Sequence, residues 1–382
     1  MTIHTFDNNM AKPSIVSAST MNNDPLNNTN ILSQKVLLTP ATLKNKLPIP
    51  VESSNFVLRS RLVISNILSG KDSRKIAIIG PCSIHDIKSA KEYALKLKAL
   101  NDKLSNELFI VMRVYFEKPR TTVGWKGLIN DPHLDNSFDV EFGLTQAREL
   151  LLWLAALRLP VATEMLDPIS PQYLSELISW SAIGARTSES QTHREMASGL
   201  SMPIGFKNGT EGSSGVAINA MKSASHGHSF MGINNQGQVT LLQTSGNQDL
   251  HVILRGGKIP NYYPADIAEY EMRLEQASLP KNIMVDCSHA NSSKDYTKQP
   301  TVLENILEQI EDGNRSIVGF MLESHLKAGN QKLTDKNTLE YGVSITDGCI
   351  DWQTTEDCLT QTAIKLADKN RNDLVLKNGV TF

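Results

Sequence analysis

Short apolar runs alternate with longer amphipathic stretches along most of the chain. Eight runs are apolar with few interruptions and occupy residues 75–80, 108–115, 159–163, 180–185, 202–206, 251–254, 282–286 and 316–322. Such runs are typical of parallel strands that are covered on both faces. Stretches with a helical apolar stripe lie between several of them, at residues 86–104, 141–157, 171–178, 264–277 and 301–310. Eight strands with helical connections predict an α/β fold, a (β/α)8 TIM barrel.

Two segments depart from this alternation. Residues 230–233 and 238–244 are separated by Asn234-Asn235-Gln236-Gly237, a turn sequence that predicts a β-hairpin inserted before the sixth strand, at about residues 228–246. Residues 1–33 contain too little apolar material to offset ordering entropy and predict a flexible N-terminal arm. Residues 34–70 predict two helical pieces, with a helix start at Thr39-Pro40. The first strand is not followed by Gly-x-Gly-x-x-Gly, which argues against a dinucleotide-binding fold.

Composition and charge exclude several classes of protein. The 382 residues suit a barrel with extensions, and a formal net charge of −2 argues against nucleic-acid binding. No apolar run is long enough for a membrane span, and the first thirty residues lack the apolar core of a secretory signal. The four cysteines are scattered rather than arranged as a disulfide framework. We therefore expect a cytoplasmic protein with reduced thiols.

Charged or metal-binding residues follow all eight predicted strands. In chain order they are Cys82, then Arg113 with Lys118 and Arg120, Glu164, Arg186, Lys207, Arg255, His289 and Glu323. Active sites of (β/α)8 barrels are built at the C-terminal ends of the strands. Any one of these residues is readily explained as a surface charge, but packing does not explain the whole set, and we expect an active site at this end of the barrel.

The set divides into two chemistries. Cys82, His289 and Glu323, together with Asp347, provide a thiolate, an imidazole and two carboxylates. This mixture suits Mn, Fe, Co or Zn better than Mg or Ca.

The other members are six cations, which would repel one another strongly unless anions fill the space between them. Arg binds phosphate and carboxylate oxygens through forked hydrogen bonds, while Lys is a compact point charge. We therefore expect two ligands that carry at least one phosphate. The six are Arg113, Lys118, Arg120, Arg186, Lys207 and Arg255.

Several of these segments resemble the motifs of one enzyme family, the class I 3-deoxy-D-arabino-heptulosonate 7-phosphate (DAHP) synthases. The resemblance extends from about residue 26 to about residue 366 and is carried by long motifs. They are Gly80-Pro81-Cys82-Ser83-Ile84-His85-Asp86, Arg113-Val114-Tyr115-Phe116-Glu117-Lys118-Pro119-Arg120-Thr121-Thr122, Gly184-Ala185-Arg186-Thr187, Gly205-Phe206-Lys207-Asn208-Gly209-Thr210, Leu254-Arg255-Gly256-Gly257 and Asp286-Cys287-Ser288-His289.

The resemblance implies an aldol-type condensation of phosphoenolpyruvate with erythrose 4-phosphate, the first step of the shikimate pathway, on a catalytic barrel formed by residues 34–382. It implies that Lys118 reaches both substrates and protonates the new alkoxide, a role for which we expect a depressed pKa. It also implies roles for the other residues. The metal ligands are Cys82, His289, Glu323 and Asp347; phosphoenolpyruvate is bound by Arg113, Lys118, Ala185, Arg186, Lys207 and Arg255, with Glu164 orienting the cations; and the sugar phosphate is bound by Arg120 and Thr121.

Two alternatives remain open. One is the related synthase of 3-deoxy-octulosonate 8-phosphate, disfavoured because that branch tends to carry Lys-Ala-Asn-Arg where this chain has Lys118-Pro119-Arg120-Thr121. The other is a barrel that binds a metabolite without catalysis, disfavoured by the intact set of ligands and cations. A disulfide between Cys82 and Cys349 in oxidised, metal-free protein is plausible, but we favour a buried, apolar Cys349.

The resemblance also implies feedback inhibition by an aromatic amino acid, with the arm and the hairpin as regulatory elements. Gly232 favours tyrosine, because the phenylalanine-inhibited branch tends to have Ser there, and Gly leaves room for the hydroxyl. Since the arm in such enzymes packs on a neighbouring subunit, a homodimer or homotetramer is implied. The matching effector positions are Asn28, Pro171, Gln172, Ser201, Phe230, Gly232 and Leu242.

Overall fold

Eight parallel strands close into a barrel in a computed structural model that describes residues 26–377, with side chains described as far as residue 371. The strands of the described chain are β1 (Lys75–Gly80), β2 (Leu108–Arg113), β3 (Val161–Glu164), β4 (Trp180–Ile183), β5 (Ile204–Lys207), β6 (Ser229–Ile233), β7 (Val239–Gln243), β8 (Leu250–Leu254), β9 (Ile283–Asp286) and β10 (Ile317–Glu323). The barrel order is β1-β10-β9-β8-β5-β4-β3-β2, and β6 and β7 form a separate two-stranded sheet. The predicted (β/α)8 fold and the hairpin before the sixth barrel strand are confirmed.

Helices cover the outside of the barrel. They are α1 (Pro40–Lys46), α2 (Val51–Leu68), α3 (Ile87–Leu104), α4 (Val140–Ala156), α5 (Pro171–Leu174), α6 (Gln191–Gly199), α7 (Ser214–Ala224), α8 (Pro264–Gln276), α9 (Gln299–Glu311) and α10 (Trp352–Lys377). The helix predicted for residues 171–178 is shorter than expected, because a 3₁₀ turn at Ser175–Leu177 follows α5. The sequence analysis missed α6, α7 and α10.

The strand side chains build two apolar layers. Alternate residues of β1, such as Ile76 and Ile78, point into the barrel, where Trp180 is fully buried and donates a hydrogen bond to His251. The other residues of the strands pack beneath the surrounding helices. Helix α2 closes the N-terminal end of the barrel, since Ile64 and Ile67 pack against the interior layer. The C-terminal ends of the strands are left to carry polar groups.

The hairpin formed by β6 and β7 lies outside the barrel and contacts the N-terminal segment. Its strands are antiparallel, with Phe230 opposite Leu242. The backbone N–H of Ala41 in α1 donates a 2.7 Å hydrogen bond to the carbonyl of Asn235 in the hairpin turn. Residues 1–25 of the predicted arm lie outside the described residues, and the division into arm and catalytic barrel stays a prediction. None of the described helices has the length and apolarity required of a membrane-spanning segment.

Candidate active site and metal centre

Three predicted metal ligands meet at the C-terminal end of the barrel. Cys82 follows β1, Glu323 ends the neighbouring strand β10, and Asp347 lies in the loop beyond β10. One thiol sulfur and one oxygen from each carboxylate all lie within 4.8 Å of one another. His289 stands beside this cluster, with its Nε2 3.9 Å from Glu323 Oε1. Closure of the barrel thus brings together side chains that are far apart in the sequence.

A buried carboxylate orients the imidazole of His289 by contacting the ring nitrogen that lies away from Glu323. Its Nδ1 lies 2.9 Å from Asp286 Oδ2 and 2.7 Å from Ser288 Oγ. These contacts leave Nε2 to face Glu323. A carboxylate on the far nitrogen is the usual way in which a metal-binding histidine is oriented. The backbone of His289 has φ 58°, a left-handed conformation that places the ring in this tight turn.

The donor set fits a divalent transition-metal ion. Burial raises the pKa of the Cys82 thiol to about 11, and Glu323 reinforces the effect. A thiol in this setting stays protonated at neutral pH unless a cation stabilises the thiolate. One sulfur, one imidazole nitrogen and carboxylate oxygens match Mn, Fe, Co or Zn rather than Mg or Ca. The residues that would hold the ion are Cys82, His289, Glu323 and Asp347.

Two of the predicted cations are buried, and each is paired with a buried carboxylate. The Arg113 side chain donates from Nη2 to Glu323 Oε1 at 3.0 Å, and its guanidinium carbon lies 4.0 Å from the centre of the Tyr115 ring. Lys207 Nζ donates to Asp286 Oδ2 at 2.9 Å. Nη1 of Arg113 is buried and has no hydrogen-bond partner among the described residues. An unpaired buried donor is costly, so this nitrogen is a candidate for contact with an anionic ligand.

Two further cations line the same end of the barrel but are more accessible. Arg186 is exposed and its Nε donates to Thr121 Oγ1 at 3.2 Å. Arg255 is half-buried; burial lowers its pKa, and the charge of Arg186 contributes in the same direction. The loop after β2 carries the exposed Arg120, whose charge helps lower the pKa of Asp347. These groups surround the same cluster of donors that the metal ligands form.

Lys118 does not have the depressed pKa that the sequence analysis expected. Its Nζ donates to both the carbonyl oxygen and the Sγ of Cys82, at 3.1 and 3.2 Å. Burial alone would lower the pKa of Lys118, but Cys82 in its thiolate form and the carboxylates of Glu323 and Asp347 outweigh it and raise the pKa. The expectation considered only cationic neighbours. Lys118 is therefore held in its charged, proton-bearing form.

Glu164 lies deep in the site but makes no ion pair within the described part of the chain. It is buried at the end of β3, and its Oε1 has no hydrogen-bond partner among the described residues. A Cβ at Gly184 would come within 2.1 Å of this oxygen, so any larger residue there would displace the Glu164 carboxylate. Ala185 follows Gly184 and is half-buried. The carboxylates that hold the buried cations are instead Asp286 and Glu323.

Sequence reasoning assigned no role to Asp286. Its carboxylate contacts Lys207, Ser288 and His289, so it links the cationic set to the metal ligands. The available signal was its position at the end of a buried strand, directly before Cys287-Ser288-His289. The pairing itself follows only from barrel closure. Gln299 was missed as well, and its side chain fixes the backbone N–H and carbonyl of Glu323 with two hydrogen bonds.

The predicted effector positions lie on elements that contact one another. Phe230, Gly232 and Leu242 share one face of the hairpin, because side chains alternate along each strand and Phe230 pairs with Leu242. The hairpin turn contacts α1, as described above, and the carbonyl of Leu38 just before α1 accepts a hydrogen bond from the Tyr173 hydroxyl of α5.

Pro171 and Gln172 belong to α5, the exposed Ser201 precedes β5, and Asn28 lies in the exposed N-terminal segment with φ 60°. The effector assignment stays a prediction.

Cys82 and Cys349 are both reduced and buried. Cys349 is inaccessible to solvent and its backbone pairs with Gly329. Cys349 thus matches the buried, apolar role that we favoured, and the disulfide stays a prediction for oxidised protein.

Comparison with known proteins identifies the family. The sequence model of the DAHP synthetase I family matches residues 42–360. The Tyr-sensitive phospho-2-dehydro-3-deoxyheptonate aldolase of Escherichia coli K12 is 59% identical over 342 residues, which cover 89% of this chain and 96% of the relative. The Phe-sensitive aldolase of the same organism is 54% identical over 329 residues, covering 86% and 94%.

A solved phospho-2-dehydro-3-deoxyheptonate aldolase from Francisella tularensis SCHU S4 superimposes with a TM-score of 0.87 at 48% identity, covering 89% of this chain and 99% of that one. The match therefore extends over nearly the whole barrel in both sequence and structure. The chain belongs to the DAHP synthetase I family.

Proposed function

We propose that this chain catalyses the condensation of phosphoenolpyruvate with D-erythrose 4-phosphate to give DAHP and phosphate, as a transferase of the shikimate pathway. One observation carries the proposal: the Cys82, Glu323 and Asp347 donors meet the buried Arg113 and its neighbouring cations at one end of the barrel. The arrangement provides a metal site next to a site for anions, in a chain 59% identical to such a synthase.

The cations of the site match the charges of phosphoenolpyruvate. We assign its phosphate and carboxylate to four cations, of which Arg113 and Lys207 are buried and Arg186 and Arg255 are more accessible. Ala185 is assigned to the wall of the same site. Glu164 lies against Gly184 beside these groups. Its charge helps to raise the pKa of Lys207, after the larger contribution of Asp286.

The sugar phosphate is assigned to the loop after β2. Arg120 and Thr121 of this loop are exposed, and Thr121 accepts a hydrogen bond from Arg186. This contact joins the two substrate positions.

The family is generally metal-dependent, and Cys82, His289, Glu323 and Asp347 would hold the ion. When bound, a divalent ion supplies Lewis acidity toward an aldehyde or water oxygen. Carbon 3 of phosphoenolpyruvate attacks the aldehyde carbon, water adds at carbon 2, and phosphate leaves with cleavage of its C–O bond. Lys118 protonates the new alkoxide from Nζ. An alkoxide is a far stronger base than an amine, so the raised pKa of Lys118 does not prevent this transfer.

A 3-deoxy-octulosonate 8-phosphate synthase and a non-catalytic barrel are not favoured. The family match and the relatives named above are all DAHP synthases.

Tyrosine is the proposed feedback inhibitor, and the effector site is assigned to the inward face of the hairpin with α5 and the N-terminal segment. The Tyr-sensitive relative supports this choice, and Gly232 contributes no side chain to that face. We propose a homodimer or homotetramer, since the exposed outer face of the hairpin carries Met231, Val239 and Leu241.

The proposed reaction predicts a substrate preference and a metal requirement. Phosphate release from phosphoenolpyruvate should depend on erythrose 4-phosphate and not occur with arabinose 5-phosphate.

Chelation should abolish turnover and Mn²⁺ should restore it, whereas Cys82→Ala should stay inactive with Mn²⁺ because one ligand is lost. Cys358→Ala is the matched control, since Cys358 is a free thiol on α10 and should leave turnover unchanged. Full activity of metal-free Cys82→Ala would refute the metal assignment.

Arg186→Ala should raise the apparent KM for phosphoenolpyruvate about 30-fold or more. The bound anion would cover the exposed Arg186 guanidinium, and loss of one partner from a desolvated charge pair costs about 2–5 kcal/mol. Steady-state kinetics of Arg59→Ala provide the comparison, because Arg59 is exposed on α2 and has no side-chain hydrogen bond or ion pair within the described residues. Similar KM values for the two variants would place the anion site elsewhere.

Tyrosine should inhibit turnover more strongly than phenylalanine or tryptophan. In Gly232→Ser the new Cβ would lie 2.5 Å from Leu242 Cδ1, so the face must rearrange and tyrosine inhibition should weaken. Ser229→Ala is the control on the opposite, exposed face of the same strand. Removal of residues 1–33 should also weaken inhibition. Stronger inhibition by phenylalanine contradicts the choice of effector, and undiminished inhibition of the truncated enzyme excludes the arm.

A further inference from the structure

A cavity lies at the N-terminal end of the barrel, opposite the end that carries the candidate active site. It has a volume of about 500 Å³, within the range of small-molecule sites. Its walls come from the segment between α2 and β1, the segment between α9 and β10, and helix α10. The residues used below are the cations Arg74, Lys75, Arg315 and Lys369, with Asp72 and a floor of apolar side chains.

Positive charge dominates this cavity in a chain whose formal net charge is −2. Among the residues whose side chains are described, four cations and a single carboxylate, that of Asp72, line it. The carboxylate is already occupied by Arg74, which donates to it from Nη2 at 2.6 Å and from Nε at 3.0 and 3.1 Å. The charges of Lys75 and Arg315 are therefore not balanced by any acidic side chain in the described part of the cavity lining.

Lys75 is held in a position that disfavours its own charge. It is the first residue of β1, and its Nζ donates to the carbonyl oxygen of Ile317, the first residue of β10, at 2.6 Å. Burial lowers the pKa of Lys75 to about 8, and the charge of Lys369 acts in the same direction. An anion in the cavity would favour the charged ammonium of Lys75 and so oppose this shift.

Arg315 lines the same space. Its side chain is exposed and makes no hydrogen bond or ion pair with any of the residues whose side chains are described. It lies two residues before Ile317, the acceptor of the Lys75 hydrogen bond. A forked donor next to a compact ammonium is a pairing suited to phosphate or carboxylate oxygens.

We propose that this cavity binds a small organic anion with an oxyanion group and an apolar body. The oxyanion contacts Lys75 and Arg315, and the body packs on the apolar floor formed by Ile67, Ile310 and Leu366. The site is distinct from the catalytic one, because β1 separates Lys75 from Gly80 by about 17 Å of extended chain. It does not depend on the proposed reaction.

Calorimetric titration of the full-length protein with phenyl phosphate tests this assignment. The Arg315 side chain is exposed and has no partner among the described residues, so its replacement should not disturb the fold. The substitution Arg315→Gln should weaken one binding component roughly tenfold or more, since it removes charge-assisted hydrogen bonds to the anion. Lys75→Gln should have the same effect. Lys71→Gln, a nearby exposed lysine outside the cavity lining, should leave the isotherm unchanged.

Arg186→Ala separates the two ends of the barrel, because it should spare the component that Arg315→Gln removes. Identical isotherms for the wild type and Arg315→Gln would overturn the proposal. Inorganic phosphate should bind several-fold more weakly than phenyl phosphate, which has an apolar body to bury. Equal affinity for the two would overturn the assignment to an organic ligand.

Discussion

Two carboxylates at the C-terminal end of the barrel, those of Asp286 and Glu323, carry negative charge although both residues are almost completely inaccessible to solvent. A buried charge is tolerated only when it is paired and hydrogen-bonded. Asp286 contacts Lys207, Ser288 and His289, and Glu323 contacts Arg113. Although burial would raise the pKa of Asp286, His289 and Lys207 outweigh it and hold the pKa well below its usual range.

These pairings determine the arrangement of the rest of the site. Because Asp286 contacts both Lys207 and His289, the position of a substrate-binding cation is linked to that of a metal ligand. Glu323 joins the two sets in the same way, since it lies in the donor cluster and accepts a hydrogen bond from Arg113. The proposed chemistry requires a metal ion and an anionic substrate side by side, and these two carboxylates keep their binding groups at fixed separations.

The sequence predicted the barrel because its strands are buried on both faces and read as apolar runs. Strand ends differ by one or two residues where a polar residue such as Glu164 or Lys207 still belongs to the strand. Helix α7 was missed because the face it buries consists largely of small residues, for example Ala217 and Ala220, which give little periodic signal. Helix α6 spans only nine residues, which is a short window in which to recognise a helical pattern.

The ligands and cations could be named because each follows a strand, whereas their partners could not. Which carboxylate meets which cation depends on the neighbours that closure creates, and β1 and β10, the first and last strands, become adjacent only in the closed barrel. The pKa of Lys118 was predicted in the wrong direction for the same reason, since the anionic neighbours in the metal cluster are distant in sequence.

Equilibrium binding to Asp286→Asn tests the central claim most directly. The amide keeps the shape of the side chain but removes the charge that holds Lys207 and His289. If one carboxylate organises both halves of the site, the affinities for phosphoenolpyruvate and for Mn²⁺ should both fall, the latter by roughly 10- to 100-fold as is typical when the partner of a metal-binding histidine is lost. Unchanged affinity for both ligands would contradict the account.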